Sequence, residues 1–177
     1  MIIDNNYNTE RLIISTFRKI HITDEYLSWF EDEKRLSYTD IKKNLSFNDA
    51  LIYVNDNLLS ASSLFLHISL KDSMLPIGTM RLSNFFSKTS SIILSLLIGK
   101  NKYSGNSFGK EIIDAGKLIC KDLEKNKTIF ASINVNNISS IISFLKSGFI
   151  INDISDDSDR NHNIVKQLHL TYQHENY

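Results

Sequence analysis

The passage from Leu97 to Ile113, LIGKNKYSGNSFGKEII, constrains this chain more than any other. It carries the apolar run Ile92–Ile98 out of a strand and, through two glycines and small polar residues, into a segment of helical periodicity. The run is broken only by Ser95, is too short to span a bilayer, and reads as the most buried strand of a sheet. Beyond the loop, Phe108, Ile112, Ile119 and Leu123, with Ala115 and Gly116 between them, describe a helix with one apolar face. A strand feeding a helix this way leaves the first helical N–H groups pointing into the loop, with the positive end of the helix dipole behind them. Gly105 and Gly109 are placed to take φ > 0 and admit a phosphate close to the backbone, and Ser104, Asn106 and Ser107 are small enough not to obstruct it. Lys102 and Lys110 can add charge. The same glycines can equally do no more than turn the chain. The loop lacks the Gly-Lys-Ser/Thr ending of a nucleoside-triphosphatase loop, and the third glycine and early βαβ position of a dinucleotide fingerprint.

The other elements read around this passage. Arg11–Phe17 is a β-branched strand, Thr23 opens a first helix carrying Leu27, Trp29 and Phe30, and Ser46–Leu58 suggests a second. SSLFLHIS and PIGTMRLSNF are strands joined at KDSML, and with SSIILSLLIG they form an antiparallel meander. After the helix of the loop come the strand TIFASINV, a short helix Asn137–Lys146 stopped at Gly148, and a closing hairpin of GFIINDIS and NIVKQLHLTYQ about the turn 156–162. The expected fold is α/β (α+β mixed), a mostly antiparallel mixed sheet of about seven strands flanked by about four helices. Its 177 residues with one proline and no linker-like stretch fit a single domain, 1–177. Twenty basic side chains balance twenty acidic ones, so no global field draws the protein to nucleic acid or an anionic membrane. A single cysteine, Cys120, and the absence of an export pattern at the start point to the cytoplasm. The acidic run Asp156–Asp159 lacks the spacing of a calcium loop and reads as a hairpin tip, so no metal site is expected.

In NVNNISSIISFLKSGF, Asn137, Ser140 and Phe144 fall at i, i+3 and i+7 and share a helix face. That face is distinct from the stripe of Ile138, Ile141, Ile142 and Leu145, which is expected to be the core side. An amide, a hydroxyl and an aromatic ring in a row can line an extended ligand bearing amides, or can be an N-cap and a partly buried ring.

Together the glycine loop and the Asn-x-x-Ser-x-x-x-Phe-x-Lys-x-Gly-Phe run resemble the GNAT superfamily of acyl-CoA-dependent N-acetyltransferases. The opening TERLIISTFRKIHITDEYLSWFEDE is similar to the subgroup of ribosomal-protein-alanine and nucleotide-amino-sugar acetyltransferases. The resemblance covers nearly the whole chain. It implies acetyl-CoA as co-substrate, with its pyrophosphate on the amides of the loop. The family pattern Gln/Arg-x-x-Gly-x-Gly/Ala reads here Lys102-Tyr103-Ser104-Gly105-Asn106-Ser107, followed by Phe108 and Gly109. It further implies that pantetheine inserts between the strand ending at Ile98 and TIFASINV, along Leu96, Leu97 and Ile98, with Asn137, Ser140 and Phe144 beside it. An amide near Ile98 would donate to the thioester oxygen as an amine attacks.

Two positions depart from the family. Phe144 stands where many members have a tyrosine acid, and Ile93 where many have a carboxylate. Three residues are candidates for the proton transfers that remain: His67 for its pKa range, Ser95 as holder of a water or amine, and Tyr103 as a substitute acid. Trp29 and Tyr38, with Glu31, Asp32, Arg35 and Asp40, lie where the family builds one wall of the acceptor site. The expected reaction is transfer of acetyl to a primary amine, on an amino-sugar nucleotide or a protein N-terminus, by direct attack in a ternary complex. The expected acceptor is thus a small molecule or peptide, and the protein a monomer or homodimer. A non-catalytic acyl-CoA-binding module is the competing class.

Overall fold

The computed structural model describes residues 6–39, 41–60, 62–85, 91–123, 128–158 and 163–174, without the side chains of 34 and 35. Eight strands form one sheet in the order β1-β2-β3-β4-β5-β6-β8-β7. They are β1 (Tyr7–Asn8), β2 (Leu12–Thr16), β3 (Leu64–Leu70), β4 (Pro76–Ser83), β5 (Ser91–Ile98), β6 (Thr128–Asn134), β7 (Ile150–Ser158) and β8 (Ile164–Tyr172). The strand beyond the expected seven is β1, a two-residue pairing onto β2 with no periodicity of its own. The first expected helix is two short ones, α1 (Asp24–Ser28) and α2 (Glu33–Leu36); Thr23 caps α1 by accepting from the Tyr26 N–H. Next come α3 (Phe47–Leu59), α4 (Phe108–Leu123) and α5 (Ile138–Lys146). Ser46 and Asp49 form the capping box that starts α3. The end of α4 expected at Lys125–Lys127 and the hairpin tip beyond Ser158 lie outside the described residues.

Alternation along the strands sends side chains to opposite faces, and each face has its own core. On one, Leu66 and Ile68 of β3 pack with Ile112, Ile119 and Cys120 of α4. On the other, Phe65 of β3 and Leu97 of β5 pack with Phe17, Tyr26, Trp29, Phe30 and Val54 from β2's end and the first three helices. Gly116 lets α4 lie close to the sheet: a Cβ there would meet Leu94 Cδ1 at 2.7 Å and Met80 Sδ at 2.8 Å.

One expectation is reversed at α5. Phe144 is 2% exposed and belongs to the α4-side core, packed edge-on against Phe149, whereas Ile138, Ile142 and Leu145 are 58%, 44% and 41% exposed. Only Ile141 of the expected stripe packs against the core. The helix is anchored by its one large ring, and three aliphatic side chains remain outward. Gly148, at φ +84°, ends it as expected, with the Phe149 N–H bonded back to the Phe144 carbonyl.

The break that matters for function lies between β5 and β6. They pair in parallel only at Ser91–Ile93 against Thr128–Phe130, and then diverge. On its other side β5 stays paired with β4 to Ile98.

Candidate functional site

A cavity of about 580 Å³ occupies the wedge where β5 and β6 part. One wall is Ser95, Leu96 and Leu97 of β5; the other is Ser132 and Asn134 of β6, with Asn137, Ser140 and Phe144 of α5. The Gly99 N–H bonds to the Ile77 carbonyl on β4, so by antiparallel alternation Leu97 also turns its backbone toward β4. The amides of Leu96 and Ile98 therefore face the wedge, and Leu97 contributes its side chain. Ile98 is not among the cavity's lining side chains; its Cδ1 lies toward Gly109 instead.

At the end of β5, Gly99 is dictated by packing. A Cβ there would sit 2.1 Å from the Trp29 ring, so the loop departs from directly against that indole. Downstream, Gly105 takes φ +81° and Ser107 φ +62°. The expectation that Gly109 takes φ > 0 is corrected: it lies in the first turn of α4, where a Cβ would meet Ser143 Oγ at 2.9 Å, so its role is close approach of α5. Nothing lies within 4 Å of a Cβ built on Gly105. The Ser107 carbonyl accepts from the Glu111 N–H, which makes Ser107 the residue ahead of the helix. No hydrogen bond to a described residue is made by the backbone N–H groups of Gly105, Asn106, Ser107, Phe108, Gly109 or Lys110. Six successive donors at a helix N-terminus, with open space beyond Gly105, suit an anion of several oxygens.

The cradle is held from behind. Glu111 accepts from the Arg11 N–H at 2.9 Å, from Arg11 Nε at 2.7 Å and from the Thr9 hydroxyl. Arg11 also donates to the Asn106 carbonyl at 3.0 Å and stacks over the Phe108 ring at 4.1 Å. Burial raises the Glu111 pKa, but the bonds from Thr9 and Arg11 outweigh it and hold the carboxyl below its ordinary value. Lys110 is committed to Asp114, and Lys102 lies 4.8 Å over the Tyr103 ring.

At α5, Asn137 is the N-cap: its Oδ1 accepts from the Ser140 N–H and the Ser139 hydroxyl. Its Nδ2 has no partner among the described residues, and Asn137 lines the cavity, so capping and ligand contact are open to different atoms of one side chain.

Of the candidates for proton transfer, only Ser95 lines the cavity. His67 lies under α1's entry, stacked on His21 with ring centroids 4.0 Å apart and edge-on to Phe17. Burial, then the neighbouring His21, pushes its pKa down to about 4, too low for an efficient base at neutral pH. Tyr103 packs edge-on against Phe108 beside the loop and is likewise not at the cavity. Trp29 is 1% exposed in the second core and bonds Glu25 at 3.5 Å, so it supports the wall from behind; Tyr38 lines the cavity. Ile93 and Phe144 line it at the two departures from the family pattern. The Arg35 side chain and Asp40 lie outside the described residues.

Sequence reasoning missed Arg81, Thr79, Ser132 and Gln167, all cavity residues. The signal was present at the first two: in GTMRLS, Met80 and Leu82 are buried and alternate with Thr79 and Arg81, which must face the other way. Nothing in the linear order says that this other face is a cavity. Among the described residues there is no cluster of three metal-ligating side chains, and no helix long and apolar enough to cross a membrane.

No protein-family model matches the sequence, and no curated protein matches it. Solved structures do match the fold. A GNAT-family acetyltransferase from Bacillus anthracis superposes with a TM-score of 0.83 at 15% identity, over 96% of this chain and 98% of that one. A spermidine N-acetyltransferase from Vibrio cholerae, solved with CoA and spermine, gives 0.76 at 13% identity over 92% and 96%. A ribosomal-protein-S5-alanine acetyltransferase from Vibrio fischeri gives 0.76 at 10% identity over 96% and 97%. The fold is that of the GNAT acetyltransferases.

Proposed function

We propose that this protein is an acetyl-CoA-dependent N-acetyltransferase acting on a primary amine. The observation that carries the reading is the cradle of six amides, Gly105 to Lys110, without a partner among the described residues, at the same end of β5 as the β5–β6 wedge. The residues fit CoA: the cradle would hold its diphosphate, the Leu96 and Ile98 amides and Asn137 Nδ2 its pantetheine arm, and Ser140 and Phe144 would flank that arm. When bound, acetyl-CoA supplies an activated thioester carbonyl. This chain's part is to position the amine, to offer the Ile98 amide to developing negative charge, and to exclude water with Phe144 and Leu97. Ser95 is the side chain we place beside the amine, where its hydroxyl can hold a water that takes the proton.

The solved structures with this fold include enzymes for spermidine and for a ribosomal protein, and the shared fold supports an amine acceptor here too. A small molecule or peptide in the cytoplasm, met by a monomer or homodimer, completes the proposal. A second reading, a non-catalytic acyl-CoA-binding module, is favoured by Phe144 and Ile93 at the two proton-transfer positions. One experiment separates them. CoA should raise the melting temperature in either case, but only an enzyme releases free thiol from acetyl-CoA when an amine is added. No thermal shift with CoA would count against both.

A further inference from the structure

We infer that the amine acceptor carries an anionic group, phosphate or carboxylate, and that the Arg81 guanidinium pairs with it. The inference rests on the acetyltransferase reading of the wedge and adds to it the class of amine that enters. Arg81 lies on β4 directly across from Ser95 on β5 and Phe65 on β3, on the cavity face of the sheet, and is half-buried. Its one side-chain hydrogen bond among the described residues is a long one from Nη1 to the Asn57 Oδ1, at 3.5 Å. Asn57 is itself buried and fastened by Nδ2 to the Tyr53 carbonyl at 2.8 Å, so it orients the guanidinium without neutralising it. No carboxylate among the described residues forms an ion pair with Arg81. A guanidinium partly withdrawn from water and left unpaired is costly, and its planar fork of donors is shaped for two oxygens of one anion.

The rest of the cavity agrees in charge. The other cation of the wall among the described residues, Lys42, is 72% exposed at the side chain and loosely paired with Asp49 at 3.6 Å. Among the described residues the one acidic side chain of the lining, Asp157, comes from the β7 end, beside neutral Ser158, Val165 and Gln167. Thr79, Ser95 and Ser132 supply uncharged donors and acceptors to the same cavity. A polyamine would bring its several positive charges against Arg81 and Lys42 and leave the fork unmet. An amine that also carries phosphate or carboxylate satisfies it.

The test is calorimetric binding to the protein, with and without saturating CoA. The probes are glucosamine against glucosamine 1-phosphate, alanyl-alanine against its C-terminal amide, and spermidine. In at least one pair the anionic member should bind about tenfold to a hundredfold tighter than its neutral partner, and the pair with the larger gap identifies phosphate or carboxylate. Arg81→Gln should erase that gap while leaving the neutral member's affinity in place. Arg81→Lys should keep part of it, as a point charge without the fork. The discrimination within each pair is read on the unaltered protein and does not depend on a variant folding. Equal binding within both pairs, spermidine as the tightest probe, or Arg81→Gln weakening both members alike would overturn the inference. Failure of the acetyltransferase reading shows separately, as absence of CoA binding while the probe pairs are still compared on the CoA-free protein.

Discussion

At the scale of single residues, chemistry and backbone conformation divide the work of the loop. Gly105 is the position where a side chain is excluded by conformation and not by neighbours, since φ is +81° and the space beyond is open. Gly105→Val should leave the fold's melting temperature nearly unchanged, because the strain sits in an exposed loop, yet lower CoA affinity at least about tenfold by reshaping the cradle. Calorimetry with CoA checks it, and unchanged affinity in the folded variant would remove the cradle from the site. The His21–His67 stack gives a pH signature instead. Both pKa values are held below the ordinary 6.5, His67 at about 4, chiefly by burial. The unfolded chain takes up these protons near pH 6.5 and the folded one does not. The contribution is therefore whole above pH 6.5 and is lost as the pH falls toward 4, up to about 3 kcal/mol for His67. Melting curves between pH 7.5 and 4.5 should fall less steeply for His67→Phe than for the parent; parallel curves would refute the assignment. Phe144 sits in the core as well as at the cavity, so Phe144→Tyr adds a hydroxyl to a ring that is almost wholly buried. We expect no gain in turnover at any pH and about 1 kcal/mol lower stability. A large gain would mean that an acid is needed there and missing.

At the scale of elements, α5 shows how one side chain serves both helix and site. Asn137 caps through Oδ1, which leaves Nδ2 without a partner among the described residues, and the residue lines the cavity. Asn137→Asp retains the cap and removes the donor, so it should lower CoA affinity about fivefold with little change in melting temperature. Asn137→Ala should lower both, costing a further ~1 kcal/mol of stability. If Asp and parent bind CoA equally, the residue is a cap alone. The same helix exposes the limit of periodicity. Ile138, Ile142 and Leu145 make the longer apolar row, but Phe144 offers the larger area to bury, and Ser143 must face α4 where Gly109 makes room for it.

At the scale of the whole molecule, the two cores on opposite faces of the sheet meet at β5, whose end is locked by Gly99 beneath Trp29. Gly99→Ala should push the indole away and cost about 1–3 kcal/mol by overpacking. The chain's only tryptophan reports it directly, as a red-shifted emission together with a lower melting temperature. An unshifted spectrum would show that the loop, and not the ring, yields.

The elements were legible in the sequence because their signals are local: the alternation of β3 and β4, the apolar run of β5, the caps Thr23 and Ser46, and the stop at Gly148 each act within a few residues. The glycine loop and the Asn137–Phe144 row were legible for the same reason, as spacing within single segments. What the tertiary structure decided is which of these meet. It placed Ser95 at the cavity and His67, Tyr103 and Trp29 in packing positions, and it brought in Arg81, Thr79 and Ser132 from strands that read only as alternating. Linear order sets which way a strand residue points relative to its neighbours. Whether that direction leads to core, solvent or a cavity depends on where β5 and β6 part, and that is set by the packing of α4, α5 and the first three helices against the two faces at once.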